Sequence, residues 1–129
     1  MLQINNVHAG YGNLRILRGI NMEISVGSIV ALLGGNGTGK STLLKAVSGL
    51  IPLMEGSISF DGADITGLKP HERVRRGIVQ VTQAKEAYPA MTVEENLMLG
   101  AYTRKDRGAI KADLDQVYEF FPVLRERRV

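Results

Sequence analysis

The amino-acid sequence predicts an α/β fold, preceded by a short antiparallel β portion and followed by a helical region. Ile20, Met22 and Ile24 alternate with polar residues, which is typical of a half-buried antiparallel strand. The continuous apolar run at 29–33 is typical of a strand buried on both faces of an α/β sheet. A glycine-rich segment and a stretch of helical periodicity follow this run directly. The predicted order is therefore strand, loop, helix.

The other elements of the first part follow in chain order. An extended segment begins at Leu2, and helical spacing over 40–48 ends at Gly49, a common helix stop. Residues 57–60 predict a short strand that enters a turn. Pro70 opens a helix that runs through Arg76 and stops at Gly77, and residues 78–81 predict a further strand.

The last third of the chain is predicted to be helical. Thr92 and Glu95 fit a capping box, so a helix should run from Val93 to about Ala101. Apolar residues recur at helical intervals over 109–121 and Pro122 ends the pattern. We interpret 1–129 as one unit, with the β portion and α/β core over 1–91 and the start of a helical region over 92–129.

Length and composition indicate a soluble globular chain. The 129 residues fit one domain, and 44% hydrophobic with 22% charged residues is the usual balance for a packed core. The formal charge of +3 is small, and the basic clusters at 73–76 and 125–128 are interpreted as charges near helix ends. Nucleic acid is therefore not an expected partner.

Several features that the sequence lacks bear on the cellular compartment of the protein. There is no cysteine, which excludes disulfides and Cys-based metal sites. The first residues do not resemble a signal peptide, and no segment approaches the about 20 apolar residues of a spanning helix. We expect a cytoplasmic protein unless a partner places it at a membrane.

The glycine-rich segment satisfies the phosphate-loop pattern G-x-x-x-x-G-K-[ST] between a predicted strand and a predicted helix. Glycines let backbone N–H groups face an anion, and the helix N-terminus adds partial positive charge. Lys40 is placed to reach the β and γ phosphates, and the Ser41 hydroxyl to ligate a phosphate-bound Mg²⁺. The loop consists of Gly34, Gly35, Asn36, Gly37, Thr38, Gly39, Lys40 and Ser41, followed by Thr42.

With its flanking motifs, this loop resembles the ATP-binding subunits of ATP-binding cassette (ABC) transporters. The resemblance covers nearly the whole chain and rests on 34–44, 9–12, 56–62, Gln83 and 91–97. It is closest to the branched-chain amino-acid importers, whose motifs are matched at 64–67, 92–97 and 121–128.

The resemblance implies a P-loop NTPase core of an ABC ATPase with the start of a helical subdomain, incomplete at the C-terminus. The family's second buried strand with its carboxylates, its Ser-Gly-Gly signature and its later histidine have no match within the 129 residues. The implied activity is ATP hydrolysis that drives transport, expected within the full-length protein and not for residues 1–129 alone, with ATP and Mg²⁺ as ligands.

Site roles follow from the same resemblance. Tyr11 is the aromatic that stacks on adenine, with a surface tyrosine in a glycine turn as the alternative. Lys40 and Gln83 have catalytic roles, and Gln83 joins Ser41 at Mg²⁺; the alternative for Gln83 is a polar residue that merely ends a strand. The nucleotide itself is held by 34–42.

The implied partners are the membrane permease subunits of a transporter and a second ATP-binding subunit. Residues 84–97 are the expected docking surface for a permease, with Tyr88 and Met91 as apolar contacts. This would place the protein on the inner face of the cell membrane. Two other readings stay open: a non-catalytic nucleotide-binding module, and a soluble cassette ATPase or a phosphate-loop kinase of another family.

Overall fold

The computed structural model describes residues 1–82 and 87–128, which divide into two compact units, Met1–Val81 and Thr82–Val129. Gln83, the predicted catalytic and metal-binding amide, lies outside the described residues. The first unit contains β1 (Leu2–Tyr11), β2 (Leu14–Ile24), α1 (Lys40–Ser48), β3 (Leu53–Phe60), β4 (Ala63–Asp64) and α2 (Pro70–Arg75). The second contains α3 (Val93–Leu99), α4 (Arg107–Phe120) and α5 (Pro122–Glu126).

The first unit is built on a four-stranded antiparallel sheet with the order β2-β1-β3-β4. β1 and β2 form a hairpin in which Tyr11 pairs with Leu14. The end of β1 needs glycine, because a Cβ on Gly10 would lie 1.8 Å from the Leu14 carbonyl oxygen. Tyr11 is therefore fixed at the end of β1, next to the hairpin turn.

The core of this unit lies where α1 meets the sheet. Leu43 and Ala46 of α1 are buried, as the helical spacing predicts. They belong to one apolar cluster with residues of the sheet and the loops beside it: Ile4, Val7, Ala9, Leu17, Ile51, Ile58 and Ile65. Burial of each such side chain contributes about 1.5–3 kcal/mol, so this cluster is what holds α1 and its preceding loop in place.

Arg73 closes the C-terminal end of α1, an arrangement the sequence did not predict. Its side chain is only 2% exposed, a burial that the interpretation as a basic residue near a helix end did not include. Its guanidinium donates to the carbonyl oxygens of Ala46 and Val47, both at 2.8 Å, and to those of Thr66 and Leu68. α1 is thereby tied to the segment that precedes α2.

The two strands predicted at 29–33 and 78–81 are absent from the described structure. Both segments have irregular backbone, and Ile29 and Val81 are 100% and 93% exposed. The prediction was wrong for this chain because a strand of an α/β sheet needs hydrogen-bonded neighbours and covering layers. Local sequence supplies the apolar run but not its partners.

In the second unit, the predicted capping box starts α3. The Glu95 amide donates to the Thr92 hydroxyl at 3.2 Å, and the Thr92 amide donates to the Glu95 carboxylate at 2.8 Å. α4 fills most of the predicted helix, but Pro122 begins α5 as well as ending α4, since proline is favoured in a first helical turn. No helix in the described part of the chain has the length and apolar character needed to cross a membrane.

Candidate functional site

The glycine loop at 34–39 leads directly into the first turn of α1. Gly37 and Gly39 have φ angles of 82° and 91°, in the left-handed region that favours glycine. Gly39 also packs against β2, because a Cβ there would come within 2.9 Å of the Leu17 side chain. At Gly34 an added Cβ would lie 2.8 Å from the Thr38 hydroxyl. The loop conformation therefore requires glycine at positions 34, 37 and 39, for backbone or packing reasons.

Lys40 points its ammonium group back across this loop. The Nζ atom donates to the carbonyl oxygens of Gly34 at 2.8 Å and Gly35 at 2.6 Å, and lies 3.4 Å from the Thr38 hydroxyl. The Thr38 hydroxyl in turn donates to the Gly35 carbonyl at 3.0 Å. The positive charge is thus held inside the curve of the loop by neutral oxygens, not by a carboxylate.

The first turn of α1 has the electrostatics of an anion site. This turn, which is described throughout, contains no acidic residue, so the partial positive charge of the helix N-terminus is not offset. Ser41 is exposed there, whereas Thr42 is buried against the core. Backbone N–H groups, the ammonium and the helix dipole together favour a phosphate at this position.

The residues around the loop also bear on Mg²⁺. The described residues contain no group of three or more His, Cys, Asp or Glu that could hold a metal by themselves. Magnesium in nucleotide sites keeps waters and phosphate oxygens and takes only one or two protein ligands. The exposed Ser41 hydroxyl fits that role, since it supplies one hard oxygen ligand beside the phosphate loop.

Tyr11, predicted to stack on adenine, is linked to α1 by a contact that sequence reasoning missed. The Lys45 ammonium lies over the Tyr11 ring, 5.6 Å from its centroid, and the ring is 46% exposed. Lys45 is the fourth residue after Ser41, so both lie on the same face of α1. That spacing from the loop was the one available signal for Lys45.

The predicted docking segment in the second unit is ordered by Asn96. Its side-chain oxygen accepts from the Tyr88 amide at 2.7 Å, and its Nδ2 donates to the carbonyl oxygens of Tyr88, Met91 and Thr92. Tyr88 is 60% exposed and Met91 is half-buried. The sequence had included Asn96 only as part of a motif, without this role. Residues 84–86 of the segment lie outside the described residues.

The same unit contains a cleft of about 610 Å³ between α3, α4 and the C-terminal residues. The Tyr118 hydroxyl donates to Glu94 at 3.3 Å, and the Arg125 guanidinium lies 5.7 Å from the Tyr118 ring centroid. Burial raises the pKa of the Tyr118 phenol, and the Glu94 carboxylate raises it further, so the hydroxyl stays a donor. Four basic side chains line the cleft: Arg107, Lys111, Arg125 and Arg128.

A glycine loop that caps a helix and carries a Lys-Ser pair defines the phosphate-loop class of nucleotide-binding proteins. Within that class, the sequence model of the ABC transporter family matches residues 17–128. The chain therefore belongs to the ABC transporter family. Its homologues are transporter ATP-binding proteins, which are ATPases, as the sequence predicted.

Two relatives resemble the chain along almost its whole length. The Probable branched-chain amino acid transport ATP-binding protein LivF of Archaeoglobus fulgidus is 41% identical over 97% of this chain and 52% of its own length. The High-affinity branched-chain amino acid transport ATP-binding protein BraG of Pseudomonas aeruginosa is 36% identical over 98% of this chain and 54% of its own length. The chain spans about half the length of these relatives.

Solved structures give the same result for the fold. The ATP-binding subunit of an ABC transporter matches 99% of this chain with a TM-score of 0.81 and 26% identity, over 52% of its own length. A dimeric post-hydrolysis state of an ATP-binding cassette with ADP and phosphate matches 81% of this chain with a TM-score of 0.69, 26% identity and 48% of its own length. The predicted fold class, the N-terminal part of an ABC ATPase cassette, is confirmed.

Proposed function

We propose that the chain binds ATP with Mg²⁺ through residues 34–42, and that the protein containing it hydrolyses ATP to drive transport across a membrane. The observation that carries this proposal is the Lys40 ammonium, held inside the glycine loop at the start of α1. Family membership supports the reading of this geometry as a nucleotide site.

Phosphate is the best ligand for this loop on electrostatic grounds. The partners of Lys40 are neutral carbonyl and hydroxyl oxygens, whereas an anionic phosphate oxygen adds a Coulomb attraction to the ammonium that these oxygens do not provide. A triphosphate can therefore replace these partners as the group that the ammonium binds. Thr42 and the loop amides would hold the remaining phosphate oxygens.

Ser41 would hold the Mg²⁺ that accompanies the nucleotide, and Gln83 is the proposed second protein ligand and a catalytic residue. When bound, Mg²⁺ neutralises charge on the phosphates. The residues of the chain contribute position: Lys40 orients the β and γ phosphates, and Tyr11 would stack on the base.

Branched-chain amino acids are the proposed substrates, because LivF and BraG carry that name and match almost the whole chain. Permease subunits would dock on 84–97, where Tyr88 is exposed, and a second ATP-binding subunit would complete the assembly at the inner membrane face. Ribose is the second candidate substrate, since a ribose import ATP-binding protein of Streptococcus agalactiae is 36% identical over 88% of this chain and 23% of its own length. A non-catalytic nucleotide-binding module is the alternative activity.

The nucleotide proposal is tested by Lys40→Ala. We expect ATP binding to weaken tenfold or more, about 1.4 kcal/mol. The reason is that Lys40 is the charged side chain of the phosphate-loop motif and faces the β and γ phosphates. Isothermal titration calorimetry of ATP with Mg²⁺ measures this directly. Lys111→Ala, an exposed lysine on α4, is the matched control and should bind like the parent protein. Equal affinity for Lys40→Ala and the parent would refute the site.

A further inference from the structure

We propose that Lys45 is a positioning residue of the nucleotide site, which holds the Tyr11 ring in place for the base. This inference rests on the proposed function, since it assumes that Tyr11 stacks on adenine. The carrying observation is the Lys45 ammonium, 5.6 Å from the centroid of the Tyr11 ring. A cation within about 6 Å of an aromatic centroid is attracted to the ring face.

The fold explains why this contact couples two parts of one site. Tyr11 ends β1 beside a tight turn and is 46% exposed, whereas Lys45 lies near the end of α1. α1 begins with Lys40 and Ser41, and Lys45 follows Ser41 on the same helical face, about 6 Å further along the axis. The contact therefore ties the base-stacking ring to the helix that carries the phosphate-binding residues.

Lys45 also has a plain alternative role. It lies in the last turn of α1, where a positive charge stabilises the helix dipole whether or not a ligand binds. In that case its removal would weaken the helix and change the binding of every phosphate ligand alike. A positioning role through Tyr11 predicts a loss only for ligands that carry a base.

The test is Lys45→Met, which keeps an unbranched apolar stem and removes the charge. Calorimetry would measure the binding of ATP and of inorganic tripolyphosphate by the parent protein, the variant, Lys45→Arg, Tyr11→Ala and the double variant. We expect ATP to bind about threefold to tenfold more weakly to Lys45→Met, with tripolyphosphate unchanged. Lys45→Arg should restore ATP affinity, because a guanidinium also binds a ring face.

In the Tyr11→Ala background, Lys45→Met should cause no further loss, because the ring on which it acts is absent. Lys111→Met is the control for a helical lysine without an aromatic partner. Unchanged ATP affinity of Lys45→Met, or an equal loss for tripolyphosphate, would overturn the proposal for Lys45 alone. Failure of the parent protein to bind ATP, or full affinity in Tyr11→Ala, would instead refute the proposed nucleotide site or the stacking role on which Lys45 depends.

Discussion

At the scale of single residues, two cations of the first unit, Lys40 and Arg73, contact opposite ends of α1. Lys40 lies at the start of α1, where it donates to a carbonyl oxygen of the glycine loop, and Arg73 donates to carbonyl oxygens at the end of the helix. Burial lowers the pKa of the Arg73 guanidinium, while Asp64 opposes this shift. A guanidinium starts so far above neutral pH that it remains charged, and its donors bind carbonyl oxygens of the last turn of α1 and of the segment before α2.

Arg73→Met should destabilise the first unit by about 3 kcal/mol, because it removes a buried guanidinium and its hydrogen bonds to the partly buried carbonyl oxygens of Val47, Thr66 and Leu68. Arg73→Lys should recover part of this, since an ammonium cannot reproduce the planar fork. Arg75→Met, an exposed arginine of the same helix, is the control and should change stability by less than about 0.5 kcal/mol. Urea unfolding of the longer protein that contains this chain, followed by circular dichroism, measures all three. Similar losses for Arg73→Met and Arg75→Met would contradict the anchoring role.

Residues whose function depends on local sequence were predictable. The phosphate loop and the Thr92–Glu95 capping box are patterns of fixed short spacing, and the Thr92–Glu95 hydrogen bonds form as predicted. Arg73 and Lys45 were missed because their partners are far along the chain: Arg73 binds Ala46, and Lys45 binds Tyr11. No periodicity or motif encodes such pairs.

At the scale of elements, prediction succeeded where an element carries its own stabilising contacts. α1 has the predicted bounds of 40–48, since its capping glycines and its apolar face are both visible in the sequence. The prediction of strands at 29–33 and 78–81 was wrong, because a buried strand forms only beside neighbouring strands with which it exchanges hydrogen bonds. Their apolar composition favours a buried position, but in the described part of the chain these segments are exposed.

Asn96 gives an element-scale prediction, because one side chain of α3 fixes the turn at 88–92 in front of it. Asn96→Ala removes four hydrogen bonds, one of them from the Tyr88 amide. We expect the Tyr88 amide to exchange with solvent at least tenfold faster, corresponding to about 1.4 kcal/mol of lost local stability.

Hydrogen exchange followed by mass spectrometry or NMR measures this rate at Tyr88. Glu119→Ala, an exposed position on α4, serves as the control and should leave it unchanged. An unchanged rate in Asn96→Ala would mean that other contacts hold the turn. If 84–97 is the docking surface for a permease, the same variant should also weaken that docking.

At the scale of the whole molecule, the chain carries more exposed apolar surface than a soluble monomer usually has. Ile29, Leu33, Val79 and Val81 are each more than 70% exposed, and they belong to the two segments whose sequence predicts buried strands. The chain also spans about half the length of LivF and BraG. The resemblance to the ABC family implies that further strands of the longer relatives lie between these two segments.

The last prediction concerns residues 1–129 expressed alone. Unpaired strand-forming segments with apolar side chains associate readily, so we expect oligomers by light scattering and no single sharp thermal transition. Replacing Ile29 and Val81 by threonine should reduce association, whereas the same change at the exposed Val26, which lies outside both segments, should not.

ATP turnover by residues 1–129 should stay near background, because phosphoryl transfer needs a positioned water and the carboxylates that the resemblance implies are absent from 1–129. A monomer that unfolds in one cooperative step and turns over ATP steadily would contradict this prediction, and would show that the four exposed residues need no partner strands.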